Sequence, residues 1–201
     1  MIVSEKGAVA ALKSAFAKGY EIVPEAGRID IYTENWALET TARELPLALS
    51  QVLVEHYGGI PVEPMLVRKG REKQMMFADS QRDRAEELVL KQEEPQYMRR
   101  IPITFQEKWD MFVKDTGEWM CVDRKYLDIL NPNQQCTAMM TAEGLALFAL
   151  ADEKLTVAPG EFGIDDTKKL QAIAEMYMKH EIHEVVEPEN LSLFEDMEEE
   201  E

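Results

Sequence analysis

The sequence predicts an α+β protein with a helical N-terminal half that carries a small antiparallel sheet, a β-hairpin-rich second half closed by a C-terminal helix, and a disordered acidic tail. Three observations predict this class. Apolar residues recur at helical spacing at both ends of the body, over residues 4–18 and 165–182. Apolar and polar residues alternate around turn signals between residues 101 and 151. Residues 183–201 are rich in glutamate and contain no Lys or Arg.

Helix start and stop signals predict most of the elements in the first half of the chain. Ser4 is a suitable N-cap and Gly19 a suitable helix stop. Pro46 suits the first turn of a helix, so we expect a joint near Leu45 between two helices. In order, the predicted elements are a helix over 4–18, a hairpin over 20–23 and 28–33, a short helix from 34 followed by a second over 46–57, strands over 62–67 and 74–78, and a charged helix over 79–91.

Hairpin signals predict most of the elements in the second half of the chain. Residues 93–95 break the charged helix and mark a boundary between regions 1–93 and 94–182, which may also form one domain. The turn at residues 115–118 predicts a tight hairpin. The run 144–151 is apolar throughout and fits either a strand or a buried helix. In order, the predicted elements are a strand over 101–105, a hairpin over 109–114 and 119–123, a pair over 136–140 and 144–151, and a helix from 165 or 166 to 182.

The composition limits the class of protein. The chain has 201 residues, of which 45% are hydrophobic, enough for one sizeable core or two small ones. No apolar run approaches the roughly 18 residues that cross a bilayer, and the first residues lack the features of a signal peptide. Two cysteines, Cys121 and Cys136, make no disulfide framework. We therefore expect a cytoplasmic protein with no membrane partner.

The net charge of −17 is concentrated at the C-terminal end. Residues 181–201 hold ten acids and no Lys or Arg, which leaves 29 acids against 22 bases, or −7, for the other 180 residues. A body with this charge is ordinary for its size. The distribution therefore disfavours a protein that imitates nucleic acid over a whole folded face.

An apolar group interrupts the acidic tail. Leu191, Leu193 and Phe194 have no neighbouring apolar run to pack on, so we expect the tail to stay disordered until it meets a partner. The stretch Asn190-Leu191-Ser192-Leu193-Phe194 resembles the peptide, Gln-Leu-Ser/Asp-Leu-Phe, by which many bacterial replication and repair proteins bind the DNA polymerase sliding clamp. Four of the five positions agree, and Asn190 keeps the amide of Gln but is one methylene shorter.

The resemblance implies a partner rather than a reaction. In a clamp complex Leu193 and Phe194 would fill one hydrophobic pocket, and Leu191 would fill a neighbouring subsite. Two alternatives remain at this point. These side chains can instead fold onto the protein's own surface, or the short match can be fortuitous.

Basic residues are concentrated in the middle of the chain. Ten of the 22 bases lie between Arg68 and Lys108, mixed with eight acids. Such positive charge can contact phosphate, and a mixed solvated surface is the other interpretation. The candidate nucleic-acid contacts are Arg68, Lys69, Arg71, Lys73, Arg99 and Arg100.

No catalytic or metal-binding pattern is convincing. His180 and His183 have a spacing that can chelate a metal on a helix, but Cys121 and Cys136 lack the paired spacing of zinc motifs. Solvated histidines are therefore preferred, and we predict neither a metal nor a cofactor. We find no phosphate loop, nucleophile elbow, dinucleotide glycine motif or zinc-protease helix, and so assign no catalytic residue.

Three functional hypotheses follow, and the third is an undetected enzyme, which a deep pocket with converging titratable groups would favour. The first is a non-enzymatic accessory or regulatory protein of bacterial DNA metabolism that the tail tethers to the replicative sliding clamp. The second is a stoichiometric inhibitor, of the nucleic-acid-mimic or anti-defence type, whose acids occupy a basic groove of a nucleic-acid enzyme. Binding by the inhibitor should weaken steeply with salt, whereas the mainly apolar clamp contact should not.

Overall fold

Antiparallel strands form the framework of the protein. A computed structural model describes residues 2–25, 27–41, 45–68, 96–151 and 153–181. These residues form four helices: α1 (Glu5–Lys18), α2 (Leu47–Tyr57), α3 (Arg124–Leu127) and α4 (Ile164–Glu181). They also form ten strands: β1 (Gly19–Glu25), β2 (Arg28–Tyr32), β3 (Trp36–Thr41), β4 (Met65–Arg68), β5 (Met98–Phe105), β6 (Trp109–Lys114), β7 (Trp119–Asp123), β8 (Thr137–Met140), β9 (Ala146–Leu150) and β10 (Glu153–Val157).

The described strands form two sheets. Seven of them pair antiparallel in the order β4-β1-β2-β3-β10-β9-β8, and the other three in the order β5-β6-β7. The larger sheet joins the first and second halves of the chain because β3 pairs with β10, with Leu38 opposite Leu155. The predicted boundary at residues 93–95 lies outside the described residues, so the division into 1–93 and 94–182 stays a prediction.

One face of the large sheet is apolar and is covered by α1 and α2. The register places Ile22, Ile31 and Leu38 side by side across β1, β2 and β3. All three are buried in one core cluster with Leu12 of α1 and Leu53 of α2. Alternation sends their strand neighbours to the opposite face, which carries buried acids and a small apolar cluster with Val23, Tyr32 and Ala37.

The small sheet lies between the main core and α4. Because successive strand residues point to opposite faces, Phe112 joins the main core while Met111 and Val113 face α4. Leu170 and Ala174 of α4 are fully buried against that second face. The helical spacing of apolar residues predicted over 165–182 is confirmed, because those residues form the side of α4 that packs on the sheet. They are Leu170, Ile173, Ala174, Tyr177 and Met178.

The N-terminal segment fastens α1 to the region after α3. Ser4 caps α1, with its hydroxyl accepting a hydrogen bond from the Gly7 N–H. The Ser4 N–H donates to the Ile129 carbonyl and the Asn131 N–H donates to the Ile2 carbonyl, both at 2.6 Å. These contacts place the first turn of α1 directly against α3, where the candidate site lies.

The predicted helical N-terminal half is wrong. The first helix is followed by three strands, and residues 36–41 form β3 where a helix was expected. β3 lies between β2 and β10 and is buried on both faces, so it lacks the alternation that identifies a half-exposed strand. Its β-branched Thr40 and Thr41 favour a strand. The α+β description with a small sheet is thereby replaced by a seven-stranded antiparallel sheet, a three-stranded sheet and helices packed on them.

Several local predictions are confirmed. The α1 helix, the β1–β2 hairpin, the helix after Pro46 and the β6–β7 hairpin all form close to their predicted bounds. The open choice at residues 144–151 resolves to a strand, since β9 pairs with β8 and β10. The strand predicted over 74–78 and the charged helix over 79–91 lie outside the described residues. No helix in the described part of the chain has the length and apolar character that a bilayer crossing requires.

Candidate functional site

A cavity of about 820 Å³ opens between the first turn of α1, the small sheet, α3 and β8. The hydrogen bonds that hold Ser4 and Asn131 to the facing segments form part of its frame. Its lining combines charged and apolar side chains. The residues around it are Ser4, Lys6, Gly7, Ala10, Met98, Arg100, Asp110, Phe112, Arg124, Leu127, Asp128, Leu130, Asn131, Pro132, Gln134, Cys136, Ala138 and Phe148.

Asp110 is a buried carboxylate at this cavity. It lies in β6, the central strand of the small sheet, on the same face as Phe112. A register shift in β5 between Arg100 and Thr104 brings both residues beside it. The Thr104 hydroxyl donates to Asp110 Oδ1 at 3.0 Å, and the Arg100 guanidinium donates to Asp110 Oδ2 at 2.5 Å.

A second guanidinium approaches the same carboxylate. Arg124, at the start of α3, has its Nε 3.7 Å from Asp110 Oδ1. The Asp110 side chain is only 3% exposed, whereas those of Arg100 and Arg124 are 56% and 53% exposed. The carboxylate is therefore shielded from water while both guanidiniums still face the open cavity. Each guanidinium has five N–H donors, of which a contact with one carboxylate oxygen uses only a part.

The remaining wall of the cavity is largely apolar. Met98, Phe112 and Phe148 are buried, and the last two rings pack edge to face with centroids 5.4 Å apart. The Cys136 thiol lies on the same wall, and burial raises its pKa above the ordinary value. The cavity thus offers cations and a buried apolar surface next to each other, since Arg100 pairs directly with Phe112 across β5 and β6.

A neighbouring ion cluster lies at the start of α3. Asp123 caps this helix and accepts from the Lys125 N–H at 3.1 Å, while the ammonium groups of Lys125 and Lys108 lie 3.0 and 3.4 Å from its Oδ2. Burial opposes the charged form of Asp123, but the hydrogen bonds from Lys125 and Lys108 prevail and lower its pKa below the usual value. This cluster holds Arg124 in place beside the cavity because it fixes the first turn of α3.

Another ion cluster occupies the charged face of the large sheet. The Arg28 guanidinium lies 2.8 Å from Glu39 and 3.4 Å from Asp30, and Lys154 lies 3.5 Å from Glu39. Two basic side chains, Arg28 and Lys154, therefore pair with two buried acids in this cluster. Burial and the two nearby carboxylates raise the pKa of Tyr32 on the same sheet, which keeps its hydroxyl protonated.

The structure separates the predicted nucleic-acid contacts. Arg100 lies at the cavity, whereas its neighbour Arg99 is paired with exposed Asp115 at 3.0 Å and does not line the cavity. For Arg68 only the backbone, at the end of β4, is described. Lys69, Arg71 and Lys73 lie outside the described residues, as do the tail residues Asn190, Leu191, Ser192, Leu193 and Phe194.

The side chains of Trp36, Trp119 and His56 have structural surroundings. Trp36 is buried in the main core, and the Trp119 indole N–H donates to Gln171 of α4 at 2.7 Å. His56 stacks on Phe16 with ring centroids 4.0 Å apart. His183 lies outside the described residues, and of His180 only the backbone is described. Among the described side chains, no group of three or more His, Cys, Asp or Glu residues has an arrangement suited to a metal ion.

Sequence reasoning missed Asp110 and Arg124, although one signal pointed to Asp110. Asp is depleted in strands, and Asp110 stands inside a run that was otherwise predicted as an apolar strand. No comparable signal marked Arg124 among the 22 bases. Comparison with protein-family models gives no match for this chain, and comparison with curated proteins gives none at a significant level.

Proposed function

We propose that this chain is a cytoplasmic, non-enzymatic accessory or regulatory protein of bacterial DNA metabolism that docks on the replicative sliding clamp through its C-terminal tail. The observation that carries the proposal is the stretch Asn190-Leu191-Ser192-Leu193-Phe194, set among acids. The described fold supports a tethering role because α4, the last described helix, packs on the small sheet and ends at Glu181. Eight residues separate that end from Asn190, and a chain of eight residues spans at most about 28 Å.

The expected affinity is modest. Burial of Leu191, Leu193 and Phe194 supplies about 1.5–3 kcal/mol for each side chain, from which the cost of ordering the tail is subtracted. The sum of about 4.5–9 kcal/mol before that subtraction reaches the roughly 8 kcal/mol of a micromolar dissociation constant only near its upper end, so we expect a constant of micromolar order or weaker. A contact of this strength exchanges readily, and the tether would raise the local concentration of the folded body beside the clamp.

The test compares the full chain with two double variants. Leu193→Ala/Phe194→Ala removes both anchors and should weaken binding to purified clamp by more than about ten-fold. Val185→Ala/Val186→Ala removes two adjacent apolar side chains of the same tail outside the pentapeptide and should leave the affinity unchanged. Equal binding by the parent and the first variant, or no binding by the parent, would reject the proposal.

The acidic tail also favours a second candidate, the stoichiometric inhibitor of a nucleic-acid enzyme. Ten acids within residues 181–201 can occupy a basic groove. Salt dependence separates the two candidates because screening weakens contacts between exposed charges. A clamp affinity that is nearly constant between about 0.05 and 0.3 M salt supports apolar docking, whereas a steep loss favours the electrostatic candidate.

A further inference from the structure

The cavity beside α1 is locally basic in an acidic protein. Among the described residues, its lining holds three bases, Lys6, Arg100 and Arg124, and two acids, Asp110 and Asp128, whereas the whole chain carries −17. Charged groups within a few ångströms interact far more strongly than those across the molecule, especially where protein walls exclude water. The local surplus of positive charge therefore favours an anion in the cavity over a cation.

Contacts with Asp110 orient the guanidiniums of Arg100 and Arg124 at the cavity. Asp110 fixes Arg100 through a 2.5 Å hydrogen bond and attracts Arg124 at 3.7 Å. Because the carboxylate is buried and both arginine side chains are more than half exposed, the ordering does not consume their outward-facing donors. Paired guanidiniums recognise carboxylate, phosphate and sulfonate oxygens through parallel N–H···O bonds.

The apolar wall beside the guanidiniums selects for an apolar body. Met98, Phe112 and Phe148 form a buried surface on the same cavity as the guanidiniums. The volume of about 820 Å³ lies within the roughly 300–1,000 Å³ typical of small-molecule sites. An inorganic ion alone would leave this wall uncovered, while a purely apolar molecule would leave the guanidiniums unused.

We propose that this cavity binds a small amphipathic oxyanion, in which an aromatic or aliphatic body carries one carboxylate, phosphate or sulfonate group. The oxyanion lies between Arg100 and Arg124, and the body packs against Phe112 and Phe148. All the residues to which we assign this ligand belong to the described body and none to the tail. The folded body would therefore have a small-molecule ligand of its own in addition to its macromolecular partner.

A pair of fluorescent probes tests the two halves of the site separately. 8-Anilinonaphthalene-1-sulfonate has an aromatic body and one sulfonate, and N-phenyl-1-naphthylamine has the same body without the anion. Titration of the full chain with each probe gives its dissociation constant. We expect the sulfonate probe to bind one site, and to bind at least about ten-fold more tightly than the neutral probe, since a charge-assisted hydrogen bond contributes this much.

Three variants locate the site. Arg100→Gln and Arg124→Gln should each weaken the sulfonate probe by about ten-fold and leave the neutral probe unchanged. Arg99→Gln is the matched control, because Arg99 is the neighbouring arginine of β5 and does not line the cavity. It should leave both probes unchanged. Arg100 is the closer partner of buried Asp110, so the thermal unfolding of Arg100→Gln is compared with the parent first. Arg124→Gln, which loses only the longer contact, decides the question if Arg100→Gln unfolds.

Three outcomes would overturn the proposal. The first is no binding of the sulfonate probe at millimolar concentration. The second is parental affinity in folded Arg124→Gln. The third is an equal loss in Arg99→Gln, which would show a diffuse effect of surface charge. Because none of these measurements uses the clamp or changes residues 183–201, the proposal can fail without affecting the tail proposal, and the converse also holds.

Discussion

Gly7 is the point where α1 approaches the chain after α3 most closely, and Gly7→Ala tests how this contact holds the fold. A Cβ at residue 7 would lie 1.6 Å from the carbonyl oxygen of Asp128, 2.4 Å from its carbonyl carbon and 2.9 Å from Cα of Ile129. All three are backbone atoms, so no side-chain rotation relieves the overlap. A carbon–oxygen contact normally measures about 3.3 Å, so the two segments must separate by more than about 1 Å.

The free-energy cost follows from what holds these segments together. Separation breaks the 2.6 Å hydrogen bonds from Ser4 to Ile129 and from Asn131 to Ile2, which contribute about 1 kcal/mol each. Forced repacking adds about 1–3 kcal/mol. Ala is favoured over Gly within a helix by up to about 1 kcal/mol, which offsets part of the loss. We expect Gly7→Ala to lower the free energy of unfolding by about 2–4 kcal/mol.

Urea unfolding followed by circular dichroism measures this loss. With a slope near 2 kcal/mol per molar, the midpoint should fall by about 1–2 M. Gly163→Ala is the control, because its added Cβ meets no described atom within 4 Å and its φ is not positive. We expect that variant to lie within about 0.5 kcal/mol of the parent. If Gly7→Ala is as stable as the parent, helix propensity outweighs packing and the reasoning fails.

Two further predictions concern ionisable groups. Asp123→Asn keeps the helix cap but loses the charge that pairs with Lys125 and Lys108, which should cost about 1 kcal/mol at pH 7. Because the folded-state pKa of Asp123 is lowered, its contribution is present above the unfolded pKa of about 3.9 and lost as the pH falls through the folded value, so the difference between parent and variant should shrink as the pH falls below about 3.9. A difference independent of pH contradicts this. Burial raises the pKa of Cys121 to about 12 and that of Cys136 above its usual value, so a disulfide reagent at pH 8 should label both thiols slowly until the protein is unfolded. Rapid labelling of native Cys121 would be inconsistent with its burial.

The elements that were predicted correctly have their signals in the neighbouring residues of the sequence. Ser4 before an apolar stripe predicts α1, and the turn ending in Gly117, which adopts φ 86°, predicts the β6–β7 hairpin. β3 and β10 lack such signals because they pair with each other across more than a hundred residues in the middle of the large sheet. Glu153 of β10 is buried, although the sequence alone would predict a surface residue there. Its carboxylate instead accepts hydrogen bonds from the Thr40 hydroxyl and the Ile2 N–H.

The candidate site was still harder to predict. Arg100 was chosen because it belongs to a basic run, but its role depends on Asp110 and Arg124, which only the pairing of β5 with β6 and the position of α3 bring beside it. The register shift in β5 falls at Pro102, and a proline within a strand indicates an edge or a bulge, but it does not indicate that Arg100 and Thr104 meet one carboxylate. Periodicity therefore predicts strands, but it does not predict which side chains of different strands converge.

Asp110 differs from the buried carboxylates of the large sheet in the number of bases around it. A buried ion pair seldom contributes more than the apolar residues that could replace it, because desolvation offsets the attraction. On the large sheet, Arg28 and Lys154 face two acids, Asp30 and Glu39. Around Asp110 two exposed guanidiniums share one carboxylate at the mouth of a cavity. Asp123 also lies between two exposed bases, but neither of them lines that cavity, whereas Arg100 and Arg124 both do. The position of the two guanidiniums at the cavity, and not their ratio to the carboxylate, therefore carries our proposal that an anion binds there.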